Sequence, residues 1–203
     1  MKNLKSGFTL VEVMTAGSIM IILGASIFTL QYLMTTNQIT SMNSFLSVDQ
    51  ANSSMNQIVR DIRSMGPSEN GSYPLITADD QNIEFYSDYD RDGIVEKVRY
   101  SIEGQNLIKA IVEPSGSPAV YDEATERTRI VTGNVKNDSL ALFTYFNKDW
   151  PQDTTTNPLS TEQRIADTRI IRLTLSINAN ANRPNQIYHL QSYVNIRSLK
   201  DNL

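Results

Sequence analysis

From Phe8 to Met34 the chain is predominantly apolar, interrupted by Glu12, and the next formal charge after Glu12 is Asp49. A stretch of about 18 or more such residues is long enough to cross a bilayer as a helix. Lys2 and Lys5 precede it, which keeps the amino end on the cytoplasmic side. Beyond Met34 the composition turns to Thr, Asn, Ser and Gln, yet Val48, Ala51, Met55, Ile58, Ile62 and Met65 recur at helical spacing. Gly66-Pro67 then supplies a stop. An unbroken helix from Phe8 to Met65 would be about 87 Å long at 1.5 Å per residue. The Ser/Thr/Asn-rich middle has poor helix propensity, which allows a kink near residues 35–41. The Val48–Met65 stripe is expected to pack on a sheet.

After Pro67 the period shortens to two, the repeat of a half-buried strand. Ile83 to Tyr86 is a short strand. Val95 to Ile102 alternates, with Glu96, Val98, Tyr100 and Ile102 on one face. Asn106 to Val112 follows the turn Glu103-Gly104-Gln105, and Ile130-Val131 and Leu140 to Phe146 come next. Arg169 to Asn178 places Ile171, Leu173, Leu175 and Ile177 on one side, and Ile187 to Arg197 aligns Leu190, Val194 and Ile196. Trp150 to Thr168 reads as a long polar loop. The expected class is α+β: a long N-terminal helix, apolar enough to cross a membrane in its first half, packed on an antiparallel, β-rich head.

Composition narrows the chemistry. The chain has 203 residues, 18 Lys+Arg against 22 Asp+Glu, and a net charge of −4. No basic excess exists to displace counterions from a nucleic acid, so DNA and RNA are not expected partners. The absence of Cys removes disulfides, thiolate metal sites and Cys nucleophiles, and a lone His189 cannot build a multi-His centre. No nucleophile elbow, P-loop or H-E-x-x-H helix is present. The expectation is therefore a protein that is not an enzyme, with no resident cofactor apart from a calcium candidate described below.

Glu12 is the anomaly of the apolar run. A carboxylate at membrane depth costs roughly 2.5–3.5 kcal/mol and calls for a partner, yet no Lys, Arg or His follows within helical reach. A secretory signal peptide would have a shorter apolar region and a small-x-small cleavage site. A plain anchor leaves Glu12 unpaired. Cutting between Gly7 and Phe8 would create a free amine on Phe8, on the helical face of Glu12. That amine, or one from a neighbouring copy, would offset much of the cost.

The string Lys5-Ser6-Gly7-Phe8-Thr9-Leu10-Val11-Glu12-Val13 resembles the class III signal of type IV prepilins and type II secretion pseudopilins. The resemblance implies cleavage after Gly7 by a prepilin peptidase, N-methylation of Phe8, and a docking role for Glu12. Other pilin or pseudopilin subunits and an inner-membrane assembly platform are the implied partners. Met55-Asn56-Gln57-Ile58-Val59-Arg60-Asp61-Ile62-Arg63-Ser64-Met65-Gly66 resembles the helix end of the J-type pseudopilins and W-type minor pilins. Arg60, Asp61 and Arg63 would equally serve as the solvated side of an amphipathic helix. The closing Ser192 to Lys200 is similar to the final strand of the same proteins.

The implied organisation is a leader over 1–7, a transmembrane half-helix over 8–34, an amphipathic half-helix over 35–66 and a β-rich head over 67–203. The protein would sit in the inner membrane by a single pass, head outside, before joining a pilus or pseudopilus. One departure is that no Pro occurs before Pro67, so any local melting falls to Gly17, Gly24 and nearby Ser/Thr residues. The alternative is a single-span anchored, extracytoplasmic binding module that is not cleaved at Gly7.

Asp88-Tyr89-Asp90-Arg91-Asp92-Gly93 begins like a D-x-D-x-D-G calcium loop, with Asp88, Asp90 and Asp92 as candidate ligands. The twelfth position is Arg99, not a bidentate Glu, and Glu96 is a partial substitute at the ninth. The bland reading is an Asp/Gly-rich hairpin turn. His189 is expected on the surface. Trp150-Pro151 is either a contact point or the anchor of its own loop.

Overall fold

The computed structural model describes residues 7–180, 186–196 and 198. The leader as far as Ser6, and Arg197 with most of the closing Ser198-Leu199-Lys200, lie outside the described residues. The chain divides into two units, Met1–Ser44 and Phe45–Leu203.

Helix α1 spans Leu10–Arg63, beginning in the first unit and ending in the second. It is the one described helix long and apolar enough to cross a membrane by length and composition. Its helical assignment continues without interruption through residues 35–41. In the first unit the apolar side chains are exposed around the helix, from Phe8 and Val11 through Ile22, Phe28 and Met34. The hydroxyls among them turn inward. Ser18 donates to the Met14 carbonyl, Ser26 to Ile22, Thr29 to Ala25 and Thr35 to Gln31, at 2.8–2.9 Å. Each of these hydroxyls is thus satisfied by its own helix.

In the second unit α1 buries Ala51, Ser54, Met55, Ile58, Val59, Asp61 and Ile62. Those positions recur at three- and four-residue steps, the spacing of one helical face. The strands that follow are β1 (Leu75–Ala78), β2 (Asn82–Ser87), β3 (Glu96–Glu103), β4 (Asn106–Val112), β5 (Pro114–Ser115), β6 (Val120–Tyr121), β7 (Arg127–Thr132), β8 (Phe143–Phe146), β9 (Ile170–Asn178) and β10 (Ile187–Asn195). They form a five-stranded sheet in the order β1-β2-β3-β4-β7, a three-stranded sheet β10-β9-β8 and the small pair β5-β6. Every strand pairing among the described residues is antiparallel. One apolar cluster joins Ile58 and Ile62 to Ile83, Phe85, Val98 and Leu107 of the larger sheet and to Phe143, Ile171, Leu173 and Val194 of the smaller one. The α+β class with a long N-terminal helix is therefore present.

Several expectations shift at their edges. β3 starts at Glu96 and β9 at Ile170, each one residue late. β8 starts at Phe143, because the chain before it is turned by Leu140 N–H to Asn137 O. β7 is longer than Ile130-Val131, and β1, β5 and β6 were too short to leave an alternating signature. The 150–168 loop contains one helical turn, α2 (Arg164–Asp167). The larger correction is Asp61. It is not on the solvated side of α1 with Arg60 and Arg63 but buried, 4% exposed. Met65 and Gly66 do end the helix, and they join the sheet: Gly66 N–H donates to the Tyr86 carbonyl at 3.0 Å and Met65 bridges to Ser87.

Candidate functional site

At the amino end, Gly7 and Phe8 precede the helix and Phe8 is 88% exposed. Glu12 has a partner of its own here. Its Oε2 accepts the Thr9 N–H and the Thr9 hydroxyl, both at 2.8 Å, while the Glu12 N–H reaches back to Thr9 Oγ1 at 3.4 Å. With Leu10 as the first helical residue, this is a reciprocal capping box. It satisfies otherwise orphaned N–H groups and places the carboxylate at the positive end of the helix dipole. It supplies hydrogen bonds but no opposite full charge.

The second constellation lies inside the head. Lys109 on β4 is fully buried, 0% exposed, and its Nζ donates to Asp61 Oδ2 at 2.7 Å. The Tyr100 hydroxyl donates to the same oxygen at 2.5 Å, and Gln57 Nε2 donates to the Tyr100 hydroxyl oxygen at 3.3 Å. The Tyr89 ring covers the ammonium at 3.7 Å, within cation–π range. Burial lowers the Lys109 pKa, with Asp61 opposing that shift. The Tyr100 pKa is pushed well above its ordinary value by burial, then by Asp61. Two donors from the larger sheet thus converge on one carboxylate oxygen of α1, which suits a structural clamp between the helix and that sheet.

Tyr89 belongs to the loop joining β2 to β3. Ser87 pairs with Glu96 across it, so the hairpin reading is correct. The loop turns through Arg91 at φ 66° and Gly93 at φ 92°. Of the three sequence candidates, the structure brings Asp88 and Asp90 together with Glu96, carboxylate oxygens from all three lying within 4.8 Å of one another. Asp92 does not belong to that group: its Oδ1 accepts the Ile94 N–H at 2.8 Å. Glu96 is 2% exposed. Burial, reinforced by Asp90 and Asp92, pushes its pKa up to about 7. Its Oε2 and Oδ1 of Asp88 are buried without a hydrogen-bond partner.

The remaining candidates are structural. His189 is exposed on β10 and its Nδ1 meets the Ser176 hydroxyl at 2.8 Å. The Trp150 ring packs against buried Phe146, centroids 4.5 Å apart and planes tilted by 33°, so it anchors its loop to the smaller sheet. Trp150 and Pro151 also line a groove of about 480 Å³ with Arg63, Tyr193 and Val194. Sequence reasoning missed the Asp61–Lys109 pair. Its signal was a Lys two residues after Leu107, hence on the same face of a strand. Neither a scan against protein-family models nor a search of curated proteins finds a match for the chain.

Proposed function

We propose that this chain is a minor pilin or pseudopilin: a structural subunit cut after Gly7 by a prepilin peptidase, methylated on Phe8 and assembled into a type IV pilus or a type II secretion pseudopilus. The observation that carries the reading is the Gly7-Phe8-Thr9-Leu10-Val11-Glu12 string opening directly into a helix that has no charged residue from Val13 to Val48 and whose apolar surface has no cover within the first unit. Such a surface needs lipid or other helices around it. In lipid, helix association draws on packing and interhelical hydrogen bonds, since the bilayer is as apolar as the side chains. In this reading the new Phe8 amine, one helical turn from Glu12, adds the opposite charge that the capping box lacks. The head remains extracytoplasmic, the helix holds the subunit in the inner membrane by one pass, and an assembly platform delivers it to neighbouring subunits. Pilin-like is then the finer name for the α+β fold. The role is assembly, without catalysis.

The capping box favours a second reading. Thr9 gives Glu12 a structural purpose with the leader still attached, which fits a single-span anchored binding module. Gly7→Leu separates the two. Co-expressed with a prepilin peptidase, the filament subunit would lose its leader in the parent and keep it in Gly7→Leu, visible as a shift in gel mobility. Identical mobility of parent and variant, with a known prepilin cleaved in the same cells, would reject the filament reading.

A further inference from the structure

We propose that the β2–β3 loop is a calcium site, with Asp88, Asp90 and Glu96 as its protein carboxylate ligands. The argument rests on the geometry of the head and is independent of the filament reading. Oxygens on opposite sides of a calcium ion at 2.3–2.6 Å stand roughly 5 Å apart. The three carboxylates already meet that limit, at 4.8 Å or less. The loop holds them there with its own backbone. Asp88 Oδ2 accepts the Gly93 N–H at 3.2 Å and Asp90 Oδ1 accepts the Asp92 N–H at 3.3 Å.

What points to a ligand, beyond the acidity of the loop, is Glu96. The side chain is almost wholly buried, its Oε2 has no hydrogen-bond partner, and it is aimed at Asp88 and Asp90. Asp88 Oδ1 is buried and unpartnered beside it. A buried carboxylate oxygen without a partner carries a desolvation penalty that a native fold normally relieves. Side-chain cations do not relieve it: Lys109 is committed to Asp61, and Lys97 to Glu84 and Glu123. No ion pair to Asp88, Asp90 or Glu96 is formed among the described residues.

A hard divalent cation fits oxygen-only ligands. Calcium accepts an irregular set and completes six to eight oxygens with carbonyls and water, whereas magnesium demands near-octahedral order. The ion would do structural work. Tyr89 lies between two of the ligands and its ring covers Lys109, so fixing the loop fixes the lid over the Asp61–Lys109 pair.

The test uses the full chain in detergent micelles, stripped with chelator and then titrated with calcium chloride. Modules of this kind bind with Kd of about 10⁻⁴–10⁻³ M, which sets the titration range. The expected result is a rise in unfolding temperature that saturates over that range, with isothermal calorimetry giving the same Kd. Asp90→Asn should weaken calcium by about tenfold or more, because ligand charge sets affinity. Glu96→Gln should abolish the response. Asp90 is exposed, so its variant keeps the test valid if Glu96→Gln fails to fold. No thermal rise up to about 10 mM calcium, a full response in Asp90→Asn, or an equal response to magnesium would each overturn the assignment.

Discussion

Lys109→Met leaves a charge with no counterion in the middle of the head. Met keeps the length and apolar stem of Lys, so packing is largely conserved and the ammonium is what is lost. Asp61 would then sit 4% exposed on α1 with only the Tyr100 hydroxyl, at 2.5 Å, to satisfy its carboxylate. Removing one partner of a buried pair costs about 3–5 kcal/mol. The surviving Tyr100 bond places this case at the lower end, near 3 kcal/mol. For a domain of about 150–250 residues each kcal/mol moves the unfolding temperature by about 2–4 °C, so the drop should be about 6–12 °C. The double variant Asp61→Asn/Lys109→Met removes both charges and leaves Tyr100 an amide oxygen to donate to. It should regain at least about half of that loss, since replacing a whole buried pair is often close to neutral. Thermal unfolding of the full chain in micelles, followed by near-ultraviolet circular dichroism, reads both. A single variant within about 0.5 kcal/mol of the parent, or a double variant no better than the single, would refute the clamp.

Glu12 is tested by a pair of replacements. Gln preserves a capping box and removes the charge, whereas Ala removes both. If charge pairing drives docking, both variants should enter filaments poorly; normal incorporation of Glu12→Gln would leave the cap as the only role. In chelator, the head should lose stability as pH rises from about 4.5 to about 7. Glu96 titrates near 7 in the folded chain against an ordinary 4.5, so the folded state holds the extra proton across that window. The groups facing it are Asp88, Tyr89, Asp90 and Asp92 from its own loop, Lys109 from β4 and Tyr121 from β6. Urea midpoints at pH 5 and 7 measure the slope, and Glu96→Gln should flatten it; an unchanged slope would mean another group is responsible.

How far the sequence carried differs by element. The α1 stripe and the longer strands were readable because burial on one face writes a period of 3.6 or 2 into the chain. A strand as short as Leu75–Ala78 buries only its two end residues and leaves no alternation to see. Asp61 was legible in part: it follows Ser54 by two helical turns and precedes Met65 by one, on the buried side. A charge at such a position reads as a flaw until its partner is known, and that partner is 48 residues away on another element. The acidic loop had the reverse problem. The D-x-D-x-D-G spacing nominated Asp92, but the loop turns that carboxylate onto the Ile94 N–H. Glu96 takes its place because the start of β3 faces it inward with Val98 and Tyr100. Glu12 belongs with these cases, since its local partner, Thr9, was visible as a capping pattern in the same residues that carry the family resemblance.

The central claim concerns the bond between Gly7 and Phe8. Intact-mass and amino-terminal peptide mass spectrometry of the protein purified from its native membrane reads that bond directly. The filament account predicts a chain whose first residue is N-methylated Phe8. A native chain that retains Gly7 and the residues before it would contradict the account.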